Sequence, residues 1–245
     1  MAQQARDDHL MNNNKLALAQ LFLLLVLCPV FVSSLNTTTT TTDKPTSTIG
    51  RNTTTIRLGV FMESLCPDTR RFFRDQLVPT QRLIGDIIDI DLVPFGHARV
   101  LGNGKMLCQH GAKECEGNRR MACILARSKN QTEIVETFGC LLKLNSSPKD
   151  CVTNNMANLS FDELETCTTG DESYQLMIAA EKESGRLGYV PHLEVDGKSS
   201  NEIQDQAENN LKDYMCKLYT GLSPPEPCKG DTQQTAAADA SGGGR

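Results

Sequence analysis

Residues 108–123 read CQHGAKECEGNRRMAC, and the interpretation of the rest of the chain depends on this cysteine-rich stretch. Cys108, His110, Cys115 and Cys123 stand within these sixteen residues. Cysteines and a histidine so close together either bind zinc or, in an oxidising compartment, form disulfides. The irregular spacing disfavours zinc, so no metal site is expected here. Whether the cysteines form disulfides then depends on whether the compartment is oxidising.

The N-terminus predicts entry into the secretory pathway. Arg6 and Lys15 precede an apolar run over residues 16–32, and two serines ending at Ser34 follow it. This order is typical of a secretory signal peptide with a cleavage site, here residues 1–34. The alternative is an uncleaved anchor, but the run is short for a membrane span. After cleavage we expect no membrane association and a secreted, extracellular or lysosomal protein.

Composition outside the apolar run divides the chain further. Residues 35–55 are Thr-rich and read as an exposed linker, while residues 229–245 are small and polar and read as a disordered tail. The folded part is therefore predicted at residues 56–228, the size of one domain. Five glycosylation sequons agree with the secretory route. They are Asn36, Asn52, Asn130, Asn145 and Asn158.

The number of cysteines predicts one unpaired thiol. Ten cysteines less Cys28 of the signal peptide leave nine, which gives four disulfides and one free cysteine in an oxidising compartment. The free cysteine is expected to be Cys66. The other eight are expected in structural disulfides whose pairing the sequence leaves open: Cys108, Cys115, Cys123, Cys140, Cys151, Cys167, Cys216 and Cys228.

Hydrophobic periodicity predicts an α/β domain. The expected elements are a strand from residue 56, a helix at 68–77 that ends before Pro79, a strand at 84–93, two helices within 113–143 separated near Asn130, helices at 160–166 and 171–187, a strand at 190–195 with a hairpin turn at Asp196-Gly197, and a helix at 202–219. This order is a βαβ unit followed by a helical insertion, a hairpin and a closing helix.

Cys66 lies between the first predicted strand and the first predicted helix. The N-terminus of a helix stabilises a thiolate through its partial positive charge and its free N–H groups. Thr69 follows three residues later on the same helix face, where a second cysteine would complete a C-x-x-C motif. Its hydroxyl is able to donate a hydrogen bond to a Cys66 thiolate. The alternative is that Cys66 is half of a disulfide.

The stretch 108–123 resembles the signature C-Q-H-G-x-x-E-C-x-x-N-x-x-x-x-C of the gamma-interferon-inducible lysosomal thiol reductase (GILT) family. It matches at Cys108, Gln109, His110, Gly111, Glu114, Cys115, Asn118 and Cys123. The segments ESLCPDTRRFF, IDLVPFGHA and YVPHLEVDG also resemble that family, so the resemblance covers residues 56–228. It implies an α/β, thioredoxin-like fold with a helical, disulfide-stapled insertion. It also implies reduction of protein disulfides in the secretory or endolysosomal pathway, often at acid pH.

The resemblance also implies roles for residues around Cys66. Pro191 is expected to form a cis peptide bond with Val190 and, with Pro67 and Asp68, to line a substrate groove; the alternative is a trans proline in an edge strand. A catalytic His192 is disfavoured, because alternation along the strand points it away from Pro191. The signature cysteines are implied to be structural and not catalytic.

The chain departs from the family at Thr69, where the motif CPDT replaces a second cysteine. Cys66 and Thr69 are the predicted catalytic residues. Cys66 alone is able to attack a substrate disulfide, and release of the product then needs glutathione or free cysteine as an external reductant, with no other cofactor. The expected partners are disulfide-containing proteins or unfolded polypeptides. The expected biological role is in host defence.

Two other functions are alternatives to disulfide reduction. The first is a catalytically impaired GILT-like secreted glycoprotein that binds polypeptides without turnover. The second is a cysteine hydrolase, which is disfavoured because nothing in the sequence positions an oxyanion hole. The net charge of −5 argues against a partner of the nucleic-acid class, since phosphate contacts need clustered Lys and Arg.

Overall fold

The computed structural model describes residues 55–230. The predicted signal peptide with Cys28, the predicted linker up to residue 54 with Asn36 and Asn52, and the tail beyond residue 230 lie outside the described residues. The predictions made for those segments therefore stay predictions.

The described chain alternates strands and helices in the predicted order, with several additions. In chain order the elements are β1 (Ile56–Met62), α1 (Pro67–Phe72), a π-helical segment (Phe73–Leu77), α2 (Val78–Ile84), a 3-10 turn (Gly85–Ile87), β2 (Ile88–Pro94), β3 (Arg99–Val100), a second 3-10 turn (Gly102–Gly104), β4 (Met106–Leu107), α3 (Ala112–Arg127), α4 (Gln131–Leu141), α5 (Pro148–Asn155), α6 (Phe161–Thr169), α7 (Asp171–Ser184), β5 (His192–Val195), α8 (Asn201–Leu218) and α9 (Glu226–Lys229).

The central sheet has the strand order β2–β1–β5. β1 pairs in parallel with β2, with Leu58 opposite Ile90, and antiparallel with β5, with Val60 opposite Leu193. A parallel pair needs a crossover connection, which α1 and α2 supply. Leu58 and Val60 are fully buried in the main core. The sheet, the crossover and the closing α8 form a thioredoxin-like arrangement, and the segment from β3 to α7 is the insertion.

Disulfides hold the insertion together. The pairs Cys108–Cys115, Cys123–Cys167 and Cys140–Cys151 lie within it, and Cys216–Cys228 joins α8 to α9. All eight cysteines that were predicted to be structural are therefore paired, and Cys66 is free. The helical, disulfide-stapled insertion predicted from the sequence is confirmed.

The predicted end of the first helix was wrong. The helical run passes through Pro79 and ends at Ile84, because the π-helical segment precedes Pro79 and leaves this residue in the first turn of α2, where its missing N–H costs no hydrogen bond. The second predicted strand was consequently wrong in its first part. Ile84 is helical, and β2 begins only at Ile88.

The predicted hairpin after β5 was also wrong beyond its turn. Asp196 and Gly197 both have positive φ, as a tight two-residue turn requires, but Val195 and Lys198 form only a single bridge. The chain then enters α8, where the Ser200 side chain accepts a hydrogen bond from the backbone of Ile203. No second strand therefore follows the turn within the described chain.

The helices of the insertion agree better with the sequence. Asn130 separates α3 from α4 and caps α4, and Ser160 begins α6 with a capping box. The hairpin of β3 and β4 and the short helix α5 were not predicted, because two-residue strands and an eight-residue helix carry little periodicity. Lys229, the first residue of the predicted tail, ends α9. Within residues 55–230, no helix has both the length and the apolar character that a membrane span requires.

Candidate active site

Cys66 stands at the start of α1, just beyond the end of β1. Its carbonyl oxygen accepts a hydrogen bond from Arg70 N at 3.1 Å, which makes Cys66 the N-cap of the helix. Pro67 occupies the first helical position, where its lack of an N–H is harmless. The Cys66 residue is 6% exposed, whereas Pro67 and Asp68 are on the surface. The free thiol therefore lies just under the surface, beside exposed residues that a substrate is able to reach.

The thiol meets the Val190–Pro191 peptide, which comes from a distant part of the chain. Cys66 Sγ donates to the Val190 carbonyl oxygen at 3.6 Å, and the Val190–Pro191 bond is cis, as expected. Gln204 of α8 fixes this segment from behind. Its Nε2 donates to Pro191 O and its Oε1 accepts from Leu193 N, both at 2.9 Å. The fold thus brings together Cys66, Val190 and Pro191, which the sequence had grouped only by resemblance.

Thr69 lies one helical turn after Cys66 and is fully buried. Its Oγ1 has no hydrogen-bond partner in the structure. The hydrogen bond predicted from the Thr69 hydroxyl to the Cys66 sulfur is therefore not formed, because the thiol is directed toward the Val190 carbonyl instead. Thr69 stands where a second cysteine would complete the C-x-x-C motif, and its hydroxyl group has no hydrogen-bond partner.

Residues of the signature helix α3 hold the loop that carries Cys66. Asn118 Oδ1 accepts from Ser64 N at 2.8 Å, and Ser64 Oγ donates to Glu114 O at 3.0 Å. Gly117 permits this contact, because a Cβ at its position would lie 2.4 Å from Ser64 Oγ. From the sequence, Glu114 and Asn118 are known only as matches to the signature. The structure shows that they position the Cys66 loop.

Two buried carboxyl groups and a histidine lie on the same side of this loop. Glu63 Oε1 accepts from His97 N at 2.6 Å, and Glu114 Oε1 accepts from His110 N at 2.9 Å. The second oxygens of Glu63 and Glu114 lie 3.6 Å and 2.6 Å from His110 Nδ1. Burial raises the pKa of Glu63, the hydrogen bond from His97 opposes the rise, and the neighbouring Glu114 adds to it.

Sequence reasoning missed this group. It gave Glu63 no role, although an acidic residue at the end of an apolar strand is a signal that it could have used. The zinc set considered in the sequence analysis is excluded by the disulfides, because Cys108, Cys115 and Cys123 are all oxidised. His110 faces carboxylates and not thiolates.

The other predicted residues lie on the surface or pack against aromatic rings. The sequons Asn130, Asn145 and Asn158 are exposed, so their side chains are accessible for glycosylation. His192 packs its ring against Phe61 and Tyr189, with centroids 5.8 Å and 5.4 Å away. This contact gives His192 a packing role.

A pocket of about 520 Å³ opens beside the loop before Cys66. Leu65 and Arg70 line its near side, and the exposed Lys113 and Lys143 contribute further positive charge. Arg120 and Glu116 also line the pocket, but they form an ion pair with each other. Arg70 Nε donates to Leu142 O at 2.6 Å, which fixes the pocket wall to the end of α4. The pocket is therefore a cationic cavity next to the free thiol.

Comparison with known proteins identifies the family. A family model described as gamma interferon inducible lysosomal thiol reductase (GILT) matches residues 57–158. The gamma-interferon-inducible lysosomal thiol reductase of Carassius auratus is 32% identical over 181 residues, which are 71% of this chain and 72% of that protein. The chain belongs to the GILT family. The protein of the same name from Mus musculus is 30% identical over 179 residues, 71% of each chain. Membership of the GILT family, with a free Cys66 at the helix start, supports thiol–disulfide oxidoreductase chemistry on protein disulfides.

Among solved structures, reduced DsbA1 from Neisseria meningitidis is 10% identical, with a TM-score of 0.43 over 69% of this chain and 86% of that one. At this level the likeness is distant. The fold assignment rests on the strand order β2–β1–β5 and on the helical crossover within this chain.

Proposed function

We propose that this GILT-family protein reduces disulfides of polypeptides with Cys66 as its single nucleophile and with an external thiol that completes the cycle. The observation that carries the proposal is the place of Cys66. It is the one free cysteine within residues 55–230, at the start of a helix and against a cis Val190–Pro191 peptide. The other cysteines there are held in disulfides and are not available for exchange.

The chemistry divides into exchanges that balance. The Cys66 thiolate attacks one sulfur of a substrate disulfide, forms a mixed disulfide and releases the other sulfur as a thiolate, which takes up a proton. An external thiol then attacks Cys66 Sγ, so the substrate leaves fully reduced and the external thiol remains on Cys66. A second external thiol frees Cys66 and leaves as an oxidised dimer. Thr69 has no sulfur and takes no part in these exchanges.

The cationic pocket favours an anionic external thiol. Glutathione carries two carboxylates, and Lys113 and Lys143 are exposed at the pocket next to Leu65. Free cysteine is smaller and carries one carboxylate, so it gains less from the same charges. Glutathione is therefore the preferred reductant in this proposal.

The names of two relatives support a setting for the proposed activity. Proteins named gamma-interferon-inducible lysosomal thiol reductase in fish and mouse share about two-thirds of their length or more with this chain. We place the protein in the secretory or endolysosomal pathway, with disulfide-containing or unfolded polypeptides as substrates and with a role in host defence.

The test is reduction of a denatured, disulfide-bonded protein with and without glutathione, at about pH 5 and about pH 7. The wild type is expected to show activity that requires glutathione, and Cys66→Ser is expected to show none above background. Without glutathione, Thr69→Cys should release about one equivalent of reduced substrate per chain, because a thiol on the same helix face displaces the product and forms an internal disulfide with Cys66. Further turnover of this variant still requires glutathione to reduce that disulfide. Thr137→Cys, which adds a buried thiol on α4, should behave as the wild type.

Equal rates for wild type and Cys66→Ser at both pH values would overturn the proposal. If the wild type then still bound the unfolded substrate, the protein would be a polypeptide-binding glycoprotein without turnover.

A further inference from the structure

We propose that Glu63, His110 and Glu114 form a binding site for a divalent transition metal of the zinc type. A His Nδ1 atom and one oxygen from each carboxyl group lie within 4.8 Å of one another. One nitrogen and two carboxylate oxygens are donors that zinc accepts in sites with three protein ligands and an open fourth position. This site is separate from Cys66, and its existence does not depend on the proposed reductase activity.

The charges in this cluster are not balanced. Glu63 and Glu114 are both fully buried. His110, whose side chain is 34% exposed, contacts both of them, and His97 also attracts the charged form of Glu63. With both carboxyl groups ionised, Glu63, Glu114 and His110 together keep a net negative charge even when the His110 imidazole is protonated. A buried negative charge without a partner is costly, and a divalent cation would neutralise it.

The cluster around Arg120 differs from this one in the exposure of its carboxylates. Arg120 also faces two carboxylates, with Nη2 2.7 Å from Glu116 Oε1 and Nε 2.8 Å from Glu165 Oε1. Those two carboxylates are partly exposed, so water completes their hydration. Glu63 Oε2 is instead buried with no hydrogen-bond partner. A metal ion between Glu63 Oε2 and His110 Nδ1 would give this oxygen a partner.

The carboxyl groups are oriented as ligating carboxylates are. Each uses one oxygen to accept a backbone N–H, from His97 for Glu63 and from His110 for Glu114, and turns its second oxygen toward His110 Nδ1. Hydrogen bonds of this kind fix the direction of metal ligands. Gly96, with φ +61°, makes room for Glu63, because a Cβ there would lie 2.3 Å from Glu63 Cγ.

The distances suit zinc after one small movement. Bonds of about 2.0–2.2 Å in a tetrahedral site place donor atoms about 3.3 Å apart. His110 Nδ1 and Glu63 Oε2 are 3.6 Å apart and fit. His110 Nδ1 and Glu114 Oε2 are 2.6 Å apart, in direct hydrogen bond, and must separate by about 0.7 Å. His110 is able to make this movement because its ring is partly exposed, and the open side provides the entry path.

Metal binding would join the Cys66 loop to the signature segment. Glu63 precedes Cys66 by three residues, and Glu114 already contacts Ser64 through its carbonyl oxygen. A metal shared by Glu63 and Glu114 would add a second link between the same two segments. Binding to the native state alone also raises the melting temperature, by an amount that grows with the logarithm of the metal concentration above the Kd.

The test is calorimetric titration of the purified protein with Zn²⁺ at about pH 7, in a Cys66→Ser background that removes the free thiol of residues 55–230. One Zn²⁺ per chain is expected, with a higher melting temperature in its presence. His110→Ala and Glu63→Gln should each lower the affinity at least tenfold. His192→Ala is the matched control, because His192 also stands 3.7 Å from a glutamate oxygen, that of Glu194, and should leave the affinity unchanged.

Co²⁺ in place of Zn²⁺ gives a second readout, because a nitrogen and oxygen ligand set shows d–d absorption without a sulfur charge-transfer band. If Glu63→Gln fails to fold, His110→Ala alone decides, since His110 is at the surface. Absence of saturable Zn²⁺ binding in the parent protein would overturn the proposal, as would equal affinity in His110→Ala. The cluster would then be a pair of buried carboxyl groups held by backbone N–H groups without a metal.

Discussion

The sheet that carries Cys66 and the helical insertion are built by different means. β1, β2 and β5 with the crossover helices α1 and α2 contain the free thiol and no disulfide, and α8 carries only the disulfide to α9, whereas three of the four disulfides lie between Cys108 and Cys167. The insertion consists of helices of 8 to 16 residues and one short hairpin, with no strand in the central sheet, so its cross-links supply a constraint that strand pairing supplies elsewhere. The sheet is held by strand pairing and apolar packing, and it leaves one cysteine reactive.

The two regions meet at the loop before Cys66. Asn118 and Glu114 of the stapled insertion hold Ser64, which lies two residues before the thiol. Apolar side chains of the two regions also share one core, in which Phe138 of the insertion packs against Phe73. The comparison therefore teaches that the stapled region supports the reactive one through shared packing and through hydrogen bonds to the Cys66 loop. Each of the following substitutions weakens one side of this arrangement or the contact between them.

The largest effect is expected from removing the disulfide between α3 and α6. Cys123 and Cys167 are 44 residues apart, and loop-closure entropy gives such a cross-link about 4 kcal/mol. The double replacement Cys123→Ala, Cys167→Ala should lower the free energy of unfolding by about this amount in urea titration. The alkylation rate of Cys66 in the native state should not change, because the hydrogen bonds to Ser64 remain. A large rise in that rate would show that the insertion controls the thiol directly.

A smaller effect is expected at the contact itself. Asn118→Ala leaves the buried Ser64 N–H without its acceptor at 2.8 Å, which should cost about 2 kcal/mol of stability and also lower reductase activity. Asn209→Ala is the control, because Asn209 is exposed and bonds only within α8. Both variants are measured by urea unfolding and by the reduction assay. Similar losses in the two variants would contradict a special role for Asn118.

The pH dependence of stability should report on Glu63. Its pKa is raised in the folded state by burial, so the folded protein holds this proton more tightly than the unfolded chain does. The resulting stabilisation is complete below the unfolded pKa of about 4.3 and is lost as the pH rises through the folded value. Unfolding of wild type and Glu63→Gln across this range should therefore show a decline in the wild type that the variant lacks. Glu194→Gln should keep the decline, and its loss there would exclude Glu63 as the source.

The smallest effect is expected at Thr69. Its buried hydroxyl has no partner, so Thr69→Val should raise stability by about 1 kcal/mol. Thr137 is equally buried but donates to Glu133 O at 2.7 Å, so Thr137→Val should lower stability by a similar amount. Melting temperatures compare the pair, and a loss of stability in Thr69→Val would indicate that its hydroxyl is bonded in solution.

Much of the fold was predictable because it depends on patterns among neighbouring residues or on the number of cysteines. The alternation in β1, the cap at Asn130 and the odd number of cysteines each follow from neighbouring residues or from arithmetic. The helix through Pro79 was not predictable, because a π-helical turn changes the register before the proline. A proline alone indicates a helix end.

The site was predicted less completely than the fold. Cys66 and Thr69 stand within one motif, so their proximity follows from the sequence. The contact of Glu63 with His110 and that of Ser64 with Asn118 join segments about fifty residues apart, and no periodicity reports such contacts. The role of Gln204 behind Pro191 was missed for the same reason.

The most direct test of the single-cysteine cycle is intact-mass analysis of the protein after incubation with a disulfide-bonded peptide. The wild type is expected to accumulate one peptide adduct on Cys66, which persists until glutathione is added and is then released. Thr69→Cys should not accumulate the adduct, and Cys66→Ser should form none. Release of the peptide from wild type without any added thiol, or absence of an adduct, would contradict a cycle that depends on Cys66 and an external thiol.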